Sequence, residues 1–441
     1  MKNFTQIVLI FLFATLITFG QQEKGIIGSN NWLNNWTEFK PNQEDYGEPT
    51  KILTGNIVEN TTLHKREVYL LLGNVFVTNN ATLTIEPGTV IIGEYKSKAS
   101  LTITKGARII ADGVQTDPII FTSNRSVKRA GDWGGLIILG DAPTNKFGNG
   151  SVLSFYTQLN STIYANANYG GPNHEDTSGI LRFVRIEYAG NRMNNGDYFS
   201  GLLLGGVGNE TILENIMVSY SGGNAFEARG GSPNMYNMVS YKANSNDYRF
   251  NYGAQSNLLN SLAIRSPYVS NSSGSRCLQI LSYNKREQVD FTKSGTSVVA
   301  KNLTFINDSE NLKSEIEMGL VNEAVYVGHN ASLDMNKSVI SGFNPAVILE
   351  DKININQENL EKIKFSAMYF NNCKGNIFVE DNTNNEDLEN WYGNSAFFNV
   401  YSKSDNAETF IDLRNKRRPD FRLRINKIIA SNEVDPDLRD N

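Results

Sequence analysis

Short apolar strands recur along this chain at spacings too tight for a crossover helix to fit between them, and that limits the fold more than any other feature. Ala81-Thr82-Leu83-Thr84-Ile85-Glu86-Pro87-Gly88-Thr89-Val90-Ile91-Ile92 is matched, 18 residues later, by Ala99-Ser100-Leu101-Thr102-Ile103-Thr104-Lys105-Gly106-Ala107-Arg108-Ile109-Ile110. Farther on, Val184-Arg185-Ile186-Glu187-Tyr188 is echoed by Ile216-Met217-Val218-Ser219-Tyr220, by Met238-Val239-Ser240-Tyr241 and more loosely by Leu262-Ala263-Ile264. The third-position spacings are 32, 21 and about 23 residues. Period-two alternation marks each copy as a strand with one buried face, and Gly222-Gly223, Gly230-Gly231 and Ser232-Pro233 suit corners. A β-propeller needs a longer, four-strand period. The pattern therefore predicts an all-β right-handed parallel β-helix, a single solenoid whose coils bond only to the coils above and below.

On this alignment Ile186, Val218 and Val239 stack in one column, and Tyr188, Tyr220 and Tyr241 form an inward ladder. The gap of 32 implies a further strand at Gly201-Leu202-Leu203-Leu204-Gly205-Gly206. Phe226-Glu227-Ala228-Arg229 and Tyr248-Arg249-Phe250-Asn251 succeed it at shifts of 25 and 22, which sets Glu227 beside Arg249 on adjacent coils. Residues 356–365 and 386–391 carry helical spacing and read as insertions or a cap. The division is a signal peptide over 1–20, an N-terminal extension or cap over 21–52, coils over 53–350, and terminal coils with helical insertions and a tail over 351–441. Trp32 and Trp36 are expected to cover the open end of the first coil, where strand edges would otherwise be bare.

Lys2, the apolar run over residues 7–19 and the small residues Thr18 and Gly20 make an export signal, so the mature chain is expected to begin at Gln21. No Cys lies near that junction, which argues against lipidation, and no later stretch has the length and apolarity of a transmembrane helix. Cys277 and Cys373 are either one disulfide or two separate buried thiols. A formal net charge of −5 gives no reason to expect nucleic acid as a partner.

Five motifs in order carry a resemblance: Asn35-Trp36-Thr37-Glu38-Phe39-Lys40-Pro41, Leu53-Thr54-Gly55-Asn56-Ile57, the run from Ala81 to Val90, Gly131-Asp132-Trp133-Gly134-Gly135-Leu136-Ile137-Ile138-Leu139-Gly140, and Leu204-Gly205-Gly206-Val207-Gly208. Over residues 32–267 the chain resembles a family of exported Bacteroidota-type, pectin-lyase-like β-helix proteins without an established activity. The resemblance implies a secreted or surface-held protein, and a TonB-dependent outer-membrane transporter as a partner. Where the family has acid-rich stretches, this chain has Pro172-Asn173-His174-Glu175-Asp176, and Arg249 and Asn251 stand in place of carboxylates.

A polysaccharide lyase needs carboxylates clustered around Ca²⁺ and a base, and a hydrolase needs two carboxylates about 5–10 Å apart. The outward columns read Arg185, Met217, Met238, Ser261 and Glu187, Ser219, Ser240, Ala263, neither of which stacks acids. Glu227 and Arg229 beside Arg249 and Asn251 make a charge-compensated patch. His174-Glu175-Asp176, with Asp132 at a distance, is the candidate Ca²⁺ site, read alternatively as a solvated turn. His64 and His329 lack companions at zinc spacing. Gly205-Gly206-Val207-Gly208 lacks the Lys and helix of a nucleotide loop, and Lys416-Arg417-Arg418 with Arg422 and Arg424 reads as a solvated tail. Asn80 and Asn302 head Asn-X-Ser/Thr triplets, here ascribed to turns and ladders. The expectation is an exported, non-catalytic β-helix protein presenting a surface to polysaccharide or a partner protein, with Asp132, Trp133, Glu175 and Asp176 as binding residues. The alternative is a polysaccharide lyase or hydrolase whose site is built from these loops.

Overall fold

The computed structural model describes residues 23–156, 161–193, 196–270, 275–382, 385–415 and 417–424. The expected signal peptide and Lys416 lie outside them. The chain winds into a right-handed parallel β-helix with three faces. Face 1 carries the inward column Ile85, Ala111, Leu181, Leu213, Met235, Leu258, Ala300, Met335 and Phe365, each above the last. On face 2 the inward column includes Ile186, Val218, Ser240, Ala263, Phe305, Ile340 and Phe370. On face 3 it includes Leu101, Leu136, Leu202, Phe226, Tyr248, Leu278, Val325, Val347 and Ile377. These columns meet in one continuous core, where Phe226 and Tyr248 stack at 5.3 Å and the Tyr248 hydroxyl donates to the Met238 and Leu262 carbonyls.

The corner between faces 1 and 2 sets the register. Asn215, Asn237, Asn260 and Asn302 occupy it on successive coils with φ between 48 and 57°. Asn tolerates this left-handed conformation better than most side chains, and its amide bonds along the stack. Asn260 Nδ2 donates to Asn237 Oδ1 at 2.7 Å. The ladder corrects the predicted alignment. Counting from Asn215 and Asn237, Met217 pairs with Val239 and Val218 with Ser240, so Val239 points outward and does not stack on Val218. The repeated Val-Ser-Tyr triplet misleads by one residue, and in a strand a one-residue slip exchanges the two faces. The tyrosines are corrected with it. Tyr188 and Tyr220 stack at 5.5 Å, Tyr241 meets Tyr220 edge-on, and all three lie outside the main core. The 18-residue repeat likewise joins faces of one coil, because the strand Thr82–Ile85 stacks on Arg108–Asp112 and not on Ser100–Ile103.

Both sides of face 2 are apolar because its outside is also covered. Met217, Val239, Leu262, Val339 and Tyr369 form a second cluster with Ile26, Leu33, Trp36 and Phe39 from the N-terminal segment and Phe410, Phe421 and Leu423 from the C-terminal one. Residues 23–50 therefore run as a strap down the side of the solenoid, from the last coils to the first. Lys24 Nζ donates to the Phe398 carbonyl at 3.0 Å, Ile27 N to Asn260 Oδ1 at 2.7 Å, and Thr50 N to the Val68 carbonyl at 2.8 Å. Gly25 adopts φ +75°, and a Cβ there would meet Thr304 Oγ1 at 2.7 Å. Trp32 and Trp36 belong to this strap and cover no open end; Trp36 packs edge-on against Phe183 at 5.9 Å. Asn302 is buried and donates to the strap carbonyls of Glu23 and Gly25.

Coil strands continue past residue 350, through Ile363–Ser366, Tyr369–Asn371 and Ile377–Val379 to Val400–Ser402. The helix expected over 356–365 stops at Leu360 after one turn capped by Asn356, because Ile363 onward joins face 1. The helix Glu386–Tyr392 packs Leu388 and Tyr392 on the core. Cys277 and Cys373 are free thiols three coils apart, roughly 14 Å by strand spacing and beyond disulfide reach. Burial pushes both thiols up, Cys373 to about 11, so neither is a ready nucleophile. Arg422 clamps Asp420 and donates to the Gly28 carbonyl of the strap, which makes part of the basic tail a structural tie.

If the strap is integral to the fold, Trp36→Ala should lower unfolding free energy by about 3–5 kcal/mol. Denaturant titration measures this, and limited proteolysis should then cut first within residues 23–50. Unchanged stability would show the strap to be an ornament.

Candidate functional site

The four residues proposed from sequence occupy two different environments. Asp132 is buried, accepting from Ser123 Oγ at 2.8 Å, Arg125 Nη1 at 3.1 Å and the Arg129 amide at 2.9 Å. Trp133 is fully buried, stacked on Phe121 and donating to the Glu187 carbonyl at 2.8 Å. Both hold the corner before the face 3 strand Gly135–Leu139, and Trp133 shows no surface to a ligand. Asp176 lies beyond the other end of that strand, where Oδ2 accepts from the Asp141 amide at 3.1 Å. Burial pushes its carboxyl up, only partly offset by that backbone donation. Glu175 is exposed in the same turn, its amide donating to Asn173 Oδ1. A five-residue strand is roughly 17 Å long, so Asp132 and Asp176 are not spaced as a catalytic carboxylate pair. Among the described residues no three His, Cys, Asp or Glu side chains come together as a metal-holding group.

The structure assembles a different site on the outside of face 3. Outward positions stack Leu203, Glu227, Arg249, Gln279 and Tyr326 in one column and Gly205, Arg229 and Asn251 in the next. Insertions wall this strip into a cleft of about 420 Å³. Tyr169 comes from the long excursion between residues 139 and 179, Asp197 and Tyr198 from the next corner, and Asn284, Lys285 and Gln288 from the loop after Ile280. Residues 145–147 bond to that loop, with Phe147 N donating to the Gln288 carbonyl and Asp290 N to the Asn145 carbonyl, which makes a paired ridge at the rim.

Glu227 is the electrostatic centre. Its Oε1 lies 2.8 Å from Arg229 Nε and 4.0 Å from Arg249 Nη1, while Oε2 accepts from Ser200 Oγ at 2.7 Å and Asn224 Nδ2 at 3.2 Å. Burial alone would push this carboxyl up. Arg229 and then Arg249 outweigh burial and hold it at about 2, so Glu227 stays ionised and is not a general acid near neutral pH. The Arg249 fork also donates to Asn284 Oδ1 at 2.8 Å, while its Nε has no partner among the described residues. Lys146 Nζ sits 4.4 Å over the Tyr252 ring, and burial, then Arg229, lower its pKa. The cleft thus presents Lys146, Arg229, Arg249 and Lys285 against Glu227 and Asp197, four cations to two anions. Sequence reasoning found Glu227, Arg229 and Arg249 but took them as self-cancelling; the walls come from insertions whose only sequence sign was the long gaps between coil strands.

The pectate-lyase like beta helix domain matches residues 55–409. The chain belongs to this family. No curated protein matches it. Among solved structures it is similar to the Streptococcus pneumoniae surface protein and adhesin PfbA, at 10% identity over 75% of this chain and 90% of that one, with a TM-score of 0.30. It is also similar to the Dettilon tailspike protein, at 9% identity over 74% of this chain and 61% of that one, with a TM-score of 0.25.

Glu227→Ala leaves Arg229 and Arg249 facing each other in a half-buried site. Unfolding free energy at neutral pH should fall by about 3–5 kcal/mol. The same carboxyl fixes a pH signature: its folded pKa of about 2 lies below the ordinary 4.5, so its contribution is full above pH 4.5 and is lost as pH falls toward 2. Acid titration of stability should show that loss in the parent chain and a flatter profile in the variant.

Proposed function

We propose that this chain is an exported, non-catalytic β-helix protein whose face 3 cleft holds an acidic polysaccharide. The observation that carries the reading is the surplus of two cations around a walled cleft in which the buried carboxylate is already committed to arginines. An incoming uronate or sulfate would find Arg249 on the strand floor and Lys146 beside it, while the half-buried Tyr198 ring is of the kind that packs on sugars. Acid–base cleavage of a glycosidic bond asks for a protonatable acid facing a second carboxylate, and Glu227 bound to Arg229 is not that acid.

Polygalacturonate oligomers titrated calorimetrically against the whole chain test this. Saturable binding without release of reducing or unsaturated ends is expected, and turnover of the oligomers would replace the reading with an enzymatic one. Arg249→Gln should weaken binding roughly 10- to 100-fold.

Affinity should also fall as pH rises toward the lysine range, and sooner than for an ordinary lysine. A bound anion favours protonated Lys146, whose free-state pKa lies below the usual lysine value, so binding takes up a proton in that range. Lys146→Met should flatten the upper pH dependence. A pH-independent affinity in the parent chain would remove Lys146 from the binding surface.

A further inference from the structure

Across the ridge from the cleft lies a second hollow, of about 450 Å³, at the corner between faces 3 and 1. The two share a wall, since the loop over 282–294 sends Asn284, Lys285 and Gln288 into the cleft and Tyr283, Phe291 and Lys293 into the hollow. The wall is braced from below: Lys146 and Val289 bridge, and Lys293 Nζ donates to the Lys146 carbonyl at 2.8 Å.

The chemistry of the hollow differs from that of the cleft. Its cations are occupied, Lys293 by that carbonyl and Lys362 by Glu358 at 2.9 Å. What it offers instead is a half-exposed Phe291 ring, with Tyr283 edge-on at 5.6 Å and the Arg286 guanidinium 5.5 Å over one face, and with Asn330 and His329 also lining the hollow. Asn145 also lines it; this side chain is 2% exposed and donates to the Ser282 carbonyl, and its Oδ1 has no partner among the described residues. An apolar ring with one face open, beside an unpaired amide oxygen, matches the C–H face and a hydroxyl of a sugar more closely than it matches an anion.

We propose that this corner hollow is a second saccharide subsite, which stacks an uncharged face of a sugar from the same chain whose acidic group sits in the cleft. This rests on the cleft reading given above and extends it: the ligand is a polymer long enough to cross the ridge, read by charge on one side and by ring stacking on the other. A monomer or short oligomer engages the cleft alone. A longer one gains the hollow as an intramolecular contact without loss of cleft contacts.

A length series of polygalacturonate oligomers, titrated into the parent chain, Phe291→Ala and Arg249→Gln, tests it, with thermal unfolding confirming that each variant is folded. In the parent chain, oligomers long enough to cross the ridge should bind about tenfold more tightly than the shortest binders, the scale of one aromatic stacking contact. Phe291→Ala should abolish that gain and leave the shortest binders unchanged, whereas Arg249→Gln should weaken every length. A length gain that survives in Phe291→Ala, or no gain in the parent chain, overturns the second subsite while the cleft reading stands. If no oligomer binds the parent chain, both fall together.

Discussion

Everything in this solenoid depends on a left-handed residue recurring at one corner. Parallel strands stacked coil on coil have no hairpin to fix their register, and a slip of one residue would turn each inward column outward. The corner between faces 1 and 2 removes that freedom. A side chain at φ near +50° is allowed only at a defined point of the turn, and asparagine there adds an amide bond to the next coil. Each coil is therefore set by the one below it, and insertions of any length can leave from the other corners without disturbing the stack.

The same ladder holds the strap. Asn260 and Asn302 turn their amides outward to the backbone of residues 23–27, so the groups that align the coils also attach the segment that covers face 2. This divides the labour of the three faces. Face 2 is covered on both sides, face 1 lines the core and meets solvent, and face 3 combines a rigid outward column with walls built from insertions. A site on strands is better positioned than one on loops, and here strands supply Glu227, Arg229 and Arg249 while loops supply only the rim.

How much of this was legible follows from what repeats. The core columns, the face 3 strand at Leu202 and the closeness of Glu227 to Arg249 could be read because stacked strands leave periodic traces. The register of Val239 could not be read from residue likeness, since the reference point is the backbone of Asn237 and a matching Val-Ser-Tyr triplet lies one residue away from it. Asp132 and Trp133 looked like site residues because a Gly-rich motif surrounds them. Those glycines instead let backbones approach closely: a Cβ on Gly134 would stand 2.9 Å from the Ala99 carbonyl oxygen. Outward Met217 was the one hint of a covered face, and Trp32 and Trp36 stood out in residues 23–50 only as a cover for the coil end, since nothing local shows which surface a buried tryptophan meets.

The cleft shows why charge balance in a column is a poor guide to the charge a ligand meets. Along the strands Glu227 stands against Arg229 and Arg249, and the neighbouring Asp247 faces inward to Arg265 and Ser240 and contributes nothing outside. Glu227, nearly sealed beneath its arginines, orients them more than it neutralises the surface. A carboxylate buried under two guanidiniums pre-pays their ordering, so an arriving anion meets donors already aimed and finds a field made more positive by Lys146 and Lys285. Glu227, held ionised by its two arginines, is not a proton donor for hydrolysis of a glycosidic bond near neutral pH.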